Sequence, residues 1–257
     1  MLKGKIVFIS GASSGIGALA AKMAARRGAI PILTGRNLGK LKETAQEIQG
    51  ECAFYQMDVT SYEQVVETVE LVIAKYGKID ILLNNAGYGK FELFQDAEME
   101  SFEAMMDTNY LGVVRCTKAV LPHMQRQRNG HIINVASMAG KLATAKSTGY
   151  SATKHAVLGF TNALRMELRG TGIDVSAINP GPIDTPFFEQ ADPDGTYVKN
   201  VGWLMLKPEK VANSIISIME KRRAEVDLPA AAGAGIKLYG LFPRLIDKLF
   251  GGLMNRK

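Results

Sequence analysis

A chain of 257 residues is long enough to bury a sizeable core. At 47% hydrophobic and 22% charged it has a globular composition, which excludes a disordered chain, a collagen-like fibre and a coiled coil. Basic residues outnumber acidic ones by 31 to 25 but are scattered among them, which suits an anionic small ligand and argues against a nucleic-acid partner.

Met1 to Lys5 runs straight into the short apolar stretch Ile6–Ile9, too short for a signal peptide. No run approaches the roughly 20 apolar residues of a membrane span. The expectation is a soluble, cytoplasmic protein. Cys52 and Cys116 offer no disulfide framework and no CxxC motif, and their apolar surroundings predict buried thiols. His123, His131 and His155 fall on different predicted elements without ligand spacing, so no metal site is expected.

The first strand is predicted at Lys5–Ser10. Gly11-Ala-Ser-Ser-Gly15-Ile-Gly17 follows it and opens a helix. Glycines there let the backbone turn tightly and approach a pyrophosphate, whose charge is favoured at a helix N-terminus. Glycines at such a turn also occur for packing alone. The second strand, Ile30–Thr34, leads into Gly35-Arg36-Asn37 and a helix over Leu38–Gln49. No Asp or Glu stands there to hold a ribose 2′-hydroxyl. Arg36 offers a planar cation suited to a 2′-phosphate, or else a solvated residue opening the helix.

A third strand at Cys52–Met57 ends at Asp58-Val59. The helix Tyr62–Tyr76 carries Val65, Val66, Val69, Val72 and Ile73 on one face. A fourth strand at Ile79–Leu83 ends at Asn84-Asn85-Ala86-Gly87, and a long helix follows over Phe102–Arg126. The fifth strand, His131–Val135, ends at Ser137-Met138-Ala139-Gly140. Next come a helix over Tyr150–Arg169, a strand at Ile173–Ile178, a helix over Pro208–Lys221 and a strand at Glu225–Leu228. Alternating strands and helices predict parallel strands with right-handed crossovers, and near-continuous apolar strands predict helices on both faces. The reading is one α/β domain over residues 1–257, doubly wound and Rossmann-like.

In such a sheet ligands bind beyond the carboxyl ends of the strands. Tyr150 and Lys154, four residues apart, share one helical face there. A phenol is a poor acid near neutrality, with a free pKa of about 10. A neighbouring ammonium favours the phenolate and is expected to lower that value.

Together these residues resemble the short-chain dehydrogenase/reductase family over roughly residues 3 to 228. The glycine motif is matched by Gly11, Gly15 and Gly17, and the Asn-Asn-Ala-Gly motif by Asn84 to Gly87. Asn109, Ser137, Tyr150 and Lys154 match the family's catalytic positions, and Asn179-Pro180-Gly181 its nicotinamide-side stretch. The resemblance implies a seven-stranded parallel sheet in the order 3-2-1-4-5-6-7. It implies a nicotinamide cofactor held by Gly11, Ser13, Ser14, Gly15, Ile16, Gly17, Arg36, Asn37, Asp58, Val59, Asn85, Ala86, Gly87, Tyr150, Lys154, Pro180, Gly181, Ile183 and Thr185. Ser10 replaces the family's usual threonine and keeps the hydroxyl. Ser14 stands where some NADP-dependent members carry Lys or Arg, which leaves Arg36 as the main 2′-phosphate contact. NADP(H) is therefore expected over NAD(H).

The implied chemistry is hydride exchange with a carbonyl or alcohol, Tyr150 giving or taking the proton beside Ser137. A non-catalytic NADP(H)-binding protein on the same fold, and an epimerase or dehydratase, are alternatives that the unbroken Ser–Tyr–Lys set disfavours. Residues 186–207 suit a lid. Met138, Phe187, Phe188 and Trp203 are candidate substrate contacts, or aromatics packing on the sheet edge. They would suit an apolar ketone or aldehyde, such as a 3-oxoacyl, steroid-like or xenobiotic carbonyl. In the tail, about 229–257, Ile236, Leu238, Leu241, Leu245, Leu249 and Phe250 alternate with Lys237, Arg244, Lys248 and Arg256. That pattern fits a helix at the substrate mouth or on a partner subunit, and less well a membrane-surface helix, because Pro243 interrupts it. By resemblance the protein is expected to be a homodimer or homotetramer.

Overall fold

A computed structural model describes residues 2–241. Its strands are β1 (Ile6–Ser10), β2 (Ile30–Gly35), β3 (Ala53–Gln56), β4 (Ile81–Asn84), β5 (Gly130–Val135), β6 (Ile173–Pro180) and β7 (Glu225–Leu228). All pair in parallel in one sheet, ordered β3-β2-β1-β4-β5-β6-β7, as the family resemblance implies.

β1 shows why both faces are covered. Val7 and Ile9 point to one side, against Ala20, Ala21 and Ala24 of α1 (Gly15–Arg26) and Ile215 of the helix Pro208–Lys221. Ile6 and Phe8 point to the other side. There they meet Val65, Val69 and Val72 of α3 (Tyr62–Tyr76) and Val120 and Met124 of α5 (Gly112–Gln127). The period of two along the strand thus feeds two apolar layers. The alanines of α1 let that helix approach the sheet closely.

Several boundaries differ from the sequence reading. α2 covers only Leu38–Gln46. β4 begins at Ile81 because Asp80 serves the strand entry instead. Its carboxylate accepts the Ile6 N–H at 2.9 Å and pairs with Lys5 at 2.8 Å and Lys78 at 3.0 Å. Burial alone would raise the Asp80 pKa, but these three donors bring it below the ordinary value. Asp80→Asn is expected to destabilise the fold by about 2 kcal/mol near pH 7, the scale of hydrogen bonds to a charged group. A carboxylate held below its ordinary pKa contributes stability above about pH 4 and loses it as pH falls further. Denaturant midpoints of the two proteins should therefore converge in acid; a constant gap down to pH 2 would refute the role.

The long helix predicted over Phe102–Arg126 is interrupted. α4 (Met99–Met106) passes into a π-helical turn, Asp107–Leu111, before α5. Arg115 braces that turn, donating to the Asp107 carboxylate at 2.6 Å and to its carbonyl at 3.2 Å. Apolar periodicity does not register a single extra residue in a helix. α6 (Thr148–Glu167) begins two residues before Tyr150.

The predicted lid contains α7 (Phe187–Ala191), α8 (Thr196–Val201) and a 3₁₀ turn at Gly202–Leu204. Its base is closed by a bridge between Ile183 and Leu206, with Leu206 donating to the Pro182 carbonyl at 2.8 Å. α9 (Pro208–Lys221) precedes β7, and α10 (Ala230–Leu241) follows it. Arg244, Leu245, Lys248, Leu249, Phe250 and Arg256 of the predicted tail lie outside the described residues. Cys116 is fully buried, but Cys52 is only half-buried, directly before β3, with its thiol donating to the Ala45 carbonyl of α2. Among the described residues no helix is long and apolar enough to cross a membrane.

Candidate active site

Gly11, at φ +67°, turns the chain sharply after β1. A Cβ at Gly17 would strike the Gly11 carbonyl and the Asn85 amide, so the first turn of α1 can sit on the loop only with glycine there. Asn85 holds the loop from β4, its Nδ2 donating to the carbonyls of Ser10 at 3.0 Å and Gly11 at 2.9 Å. The Ser10 hydroxyl accepts the backbone N–H groups of Asn85 at 3.0 Å and Ala86 at 3.1 Å. The same hydroxyl donates to the Leu83 carbonyl at 3.5 Å, so serine meets in this position what needs a hydroxyl and no methyl group. Ser14 is the N-cap of α1 without a side-chain capping bond, and the first turn has no acidic residue. The N–H groups and positive dipole end of the helix are left open to an anion.

At the far side of this loop stands Arg36, exposed just beyond β2, with Lys40 one helical turn away. Asn37 caps α2, its side-chain oxygen accepting the Lys40 N–H at 2.9 Å. Asp58 is turned toward Thr60, accepting its N–H and hydroxyl at 2.9 Å each. Val59 is buried against Gly112.

The other end of the site is built from the ends of β5 and β6 and from α6. Asn109 lies fully buried in the π turn. Its Oδ1 accepts the Tyr88 N–H at 2.9 Å, and its Nδ2 donates to the Tyr88 carbonyl at 2.8 Å and to Thr153 at 3.1 Å. Ser137 donates to the Pro180 carbonyl at 3.3 Å and accepts the Ala139 N–H at 3.1 Å. Lys154 donates to the Val135 carbonyl at 2.9 Å, with Nζ 5.7 Å from the centre of the Tyr150 ring.

The electrostatics depart from the sequence expectation. Burial pushes the Tyr150 phenol up to about 12, against a smaller opposing pull from the Ser137 hydroxyl. Burial likewise brings the Lys154 ammonium down to about 8. Burial dominates both acidities, and the ammonium does not draw the phenol down in this structure.

One cavity of about 1020 Å³ joins the two ends. It is lined by Gly11, Ser13, Ser14, Gly15, Ile16, Arg36, Asn37, Asp58, Val59, Asn85, Ala86 and Gly87 on one side. Ser137, Met138, Tyr150, Lys154, Pro180, Gly181, Ile183, Thr185, Phe187 and Phe188 line the other. Gly17 and Asn109 stand behind this wall, as supports. Trp203 belongs to the turn Gly202–Leu204, and its side chain is outside what the structure describes. The sequence reading missed Lys40, Tyr88, Phe91 and Tyr197, which also line the cavity, as do Leu204 of the predicted lid and Ala232, Gly235 and Ile236 of α10. Lys40 was legible as the residue one helical turn beyond Arg36. Phe91 lies in a stretch with neither helical nor strand periodicity, and no local signal marked it.

The family model described as short chain dehydrogenase matches residues 5–195. An uncharacterized oxidoreductase of Staphylococcus saprophyticus is 44% identical over 195 residues, 74% of this chain and 83% of its own length. The 3-oxoacyl-(acyl-carrier-protein) reductase FabG of Thermotoga maritima is 37% identical over 222 residues, 84% of this chain and 90% of its own. Among solved structures, the closed form of a serine dehydrogenase complexed with NADP+ superposes with a TM-score of 0.81 at 33% identity. That match covers 87% of this chain and 94% of the other. On sheet order, glycine loop and family match together, the chain belongs to the short-chain dehydrogenase/reductase family of oxidoreductases.

Proposed function

We propose that this oxidoreductase exchanges a hydride between NADP(H) and a neutral, apolar carbonyl or alcohol, working as a ketone or aldehyde reductase. The observation that carries the reading is one continuous cavity with a glycine-lined helix N-terminus and Arg36 at one end and Ser137, Tyr150 and Lys154 at the other. A dinucleotide fits this donor set. Open N–H groups of α1 suit the pyrophosphate, and Arg36 with Lys40 suits a 2′-phosphate. Bound NADP(H) would supply the hydride. The complexes of the serine dehydrogenase with NADP+ and of an alcohol dehydrogenase of Thermococcus sibiricus with 5-hydroxy-NADP support the phosphorylated cofactor.

The protein's own part is proton handling and charge stabilisation. With its phenol at about 12, Tyr150 stays protonated across the working range and is poised to donate from Oη to the reacting carbonyl oxygen. Ser137 would donate a second hydrogen bond to the same oxygen, meeting charge as it develops. Lys154 would hold the cofactor's ribose hydroxyls, and Asn109 fixes the wall behind them. In alcohol oxidation the proton would run the other way, onto the phenolate form of Tyr150, which makes that direction the one favoured by high pH.

Lys154 is charged below about pH 8 and loses its proton above it. The kcat/KM for NADPH, which reports the free enzyme, should therefore fall as pH rises through 8. Lys154→Met should abolish that limb of the profile; a wild-type profile flat from pH 6 to 9 would contradict the role.

Met138, Leu142, Phe187, Phe188 and Ile236 line the substrate end. The described cations along the cavity are Arg36, Lys40 and Lys154, none of them available to a substrate carboxylate or phosphate in this reading. We also propose a cytoplasmic, homo-oligomeric protein without a nucleic-acid partner; Met166, 78% exposed on α6, supports association through that helix. The test is NADPH oxidation against a panel of apolar ketones and aldehydes, with NADH in parallel. Tight NADPH binding with no turnover anywhere would favour a non-catalytic binder.

A further inference from the structure

Phe91 follows the Asn-Asn-Ala-Gly loop by a few residues, and its ring meets four others. Tyr150 lies 5.6 Å away at 70°, Phe187 at 6.4 Å and 65°, Phe188 at 6.1 Å and 20°, and Tyr197 at 4.4 Å and 4°. Phe187 also approaches Tyr150 directly, at 5.7 Å and 59°. Gly89 makes room for this ring, since a Cβ there would sit 2.8 Å from Phe187 Cζ. The Phe91 N–H donates to the Ala191 carbonyl at 2.8 Å, which fastens the ring to the lid.

These rings are not core. Phe91, Phe187, Phe188 and Tyr197 are each half-buried and line the cavity, so each keeps surface that a ligand can cover. The wall beside the candidate reacting phenol is therefore made of inclined aromatic rings. Edge-to-face and offset packing of this kind is stabilised by ring quadrupoles. A planar π-system entering beside Tyr150 extends it, whereas a saturated ring of equal size is thicker and has no quadrupole.

We infer that the substrate is a neutral aryl ketone or aldehyde whose ring lies against Phe91 and Phe187, and that Phe91 sets this specificity. The inference rests on the carbonyl-reductase reading above. A hydride from NADPH would form the new C–H bond as the carbonyl π bond breaks, the Tyr150 proton would go to the oxygen, and a secondary alcohol and NADP+ would leave, with Tyr150 taking its proton back from solvent.

The experiment compares acetophenone with cyclohexyl methyl ketone, equal in heavy atoms, in NADPH-driven reduction by the full chain. Comparing the ratio of kcat/KM values between variants cancels the intrinsic reactivity of the two carbonyls. Phe91→Leu should lower the aryl-to-cyclohexyl ratio by about tenfold, the scale of one or two ring pairs. Phe91→Tyr should retain the ratio. Phe187→Leu provides a second reading should the first variant fold poorly. An unchanged ratio in a folded leucine variant overturns the specificity assignment while leaving the reductase intact. Turnover of neither ketone, nor of any panel member, overturns the reductase reading and the inference with it.

Discussion

Tyr150→Phe is expected to lower kcat by about a thousandfold while leaving NADPH affinity within about twofold. The phenol is the half-buried proton donor that lines the cavity from α6, and its desolvation keeps it protonated. Phenylalanine preserves the ring packing against Phe91 and Phe187 and removes only the hydroxyl. A loss confined to turnover, with NADPH titration by fluorescence unchanged, would match a role in chemistry. A variant that keeps more than a tenth of wild-type kcat would overturn the proposed mechanism.

The second large effect concerns cofactor choice. Arg36→Asp should shift the NADPH-to-NADH ratio of kcat/KM toward NADH by at least about a hundredfold. The change removes a charge-assisted contact to a 2′-phosphate, adds repulsion, and offers a 2′-hydroxyl an acceptor. A hundredfold is about 2.8 kcal/mol, within reach of losing one charged contact and gaining one opposed to it. Lys40, one turn along, keeps some attraction for the phosphate, so residual NADPH activity is expected. An unaltered ratio would remove the basis for proposing NADP(H).

The fold was legible because its determinants are local and periodic. Val7 and Ile9 against Ile6 and Phe8, or the valines of α3, announce their faces by spacing alone. The glycine loop was legible because tight turns tolerate few residues. What stayed hidden depends on contacts between distant segments. Phe91 gains its position from α7 and α8, about a hundred residues later in the chain, and nothing in its neighbourhood reports that meeting. The Tyr150 acidity was misjudged for a related reason. Spacing shows that two groups are near, but only the packed structure shows how little water reaches them.

The π turn at Asp107–Leu111 has a consequence for how this segment tolerates change. A helix with one residue more than its regular ladder takes it up in one wide turn, and everything beyond that point keeps its phase. Deleting a single residue between Asp107 and Leu111 would turn the wide turn into a regular one and leave α5 in phase with the valines of α3, so the loss would fall on the turn itself. Asn109 would leave the backbone of Tyr88, and Arg115 would lose the carbonyl it braces. The widened turn is therefore a device for aiming one amide at the backbone of a neighbouring loop while the helix beyond it runs on undisturbed.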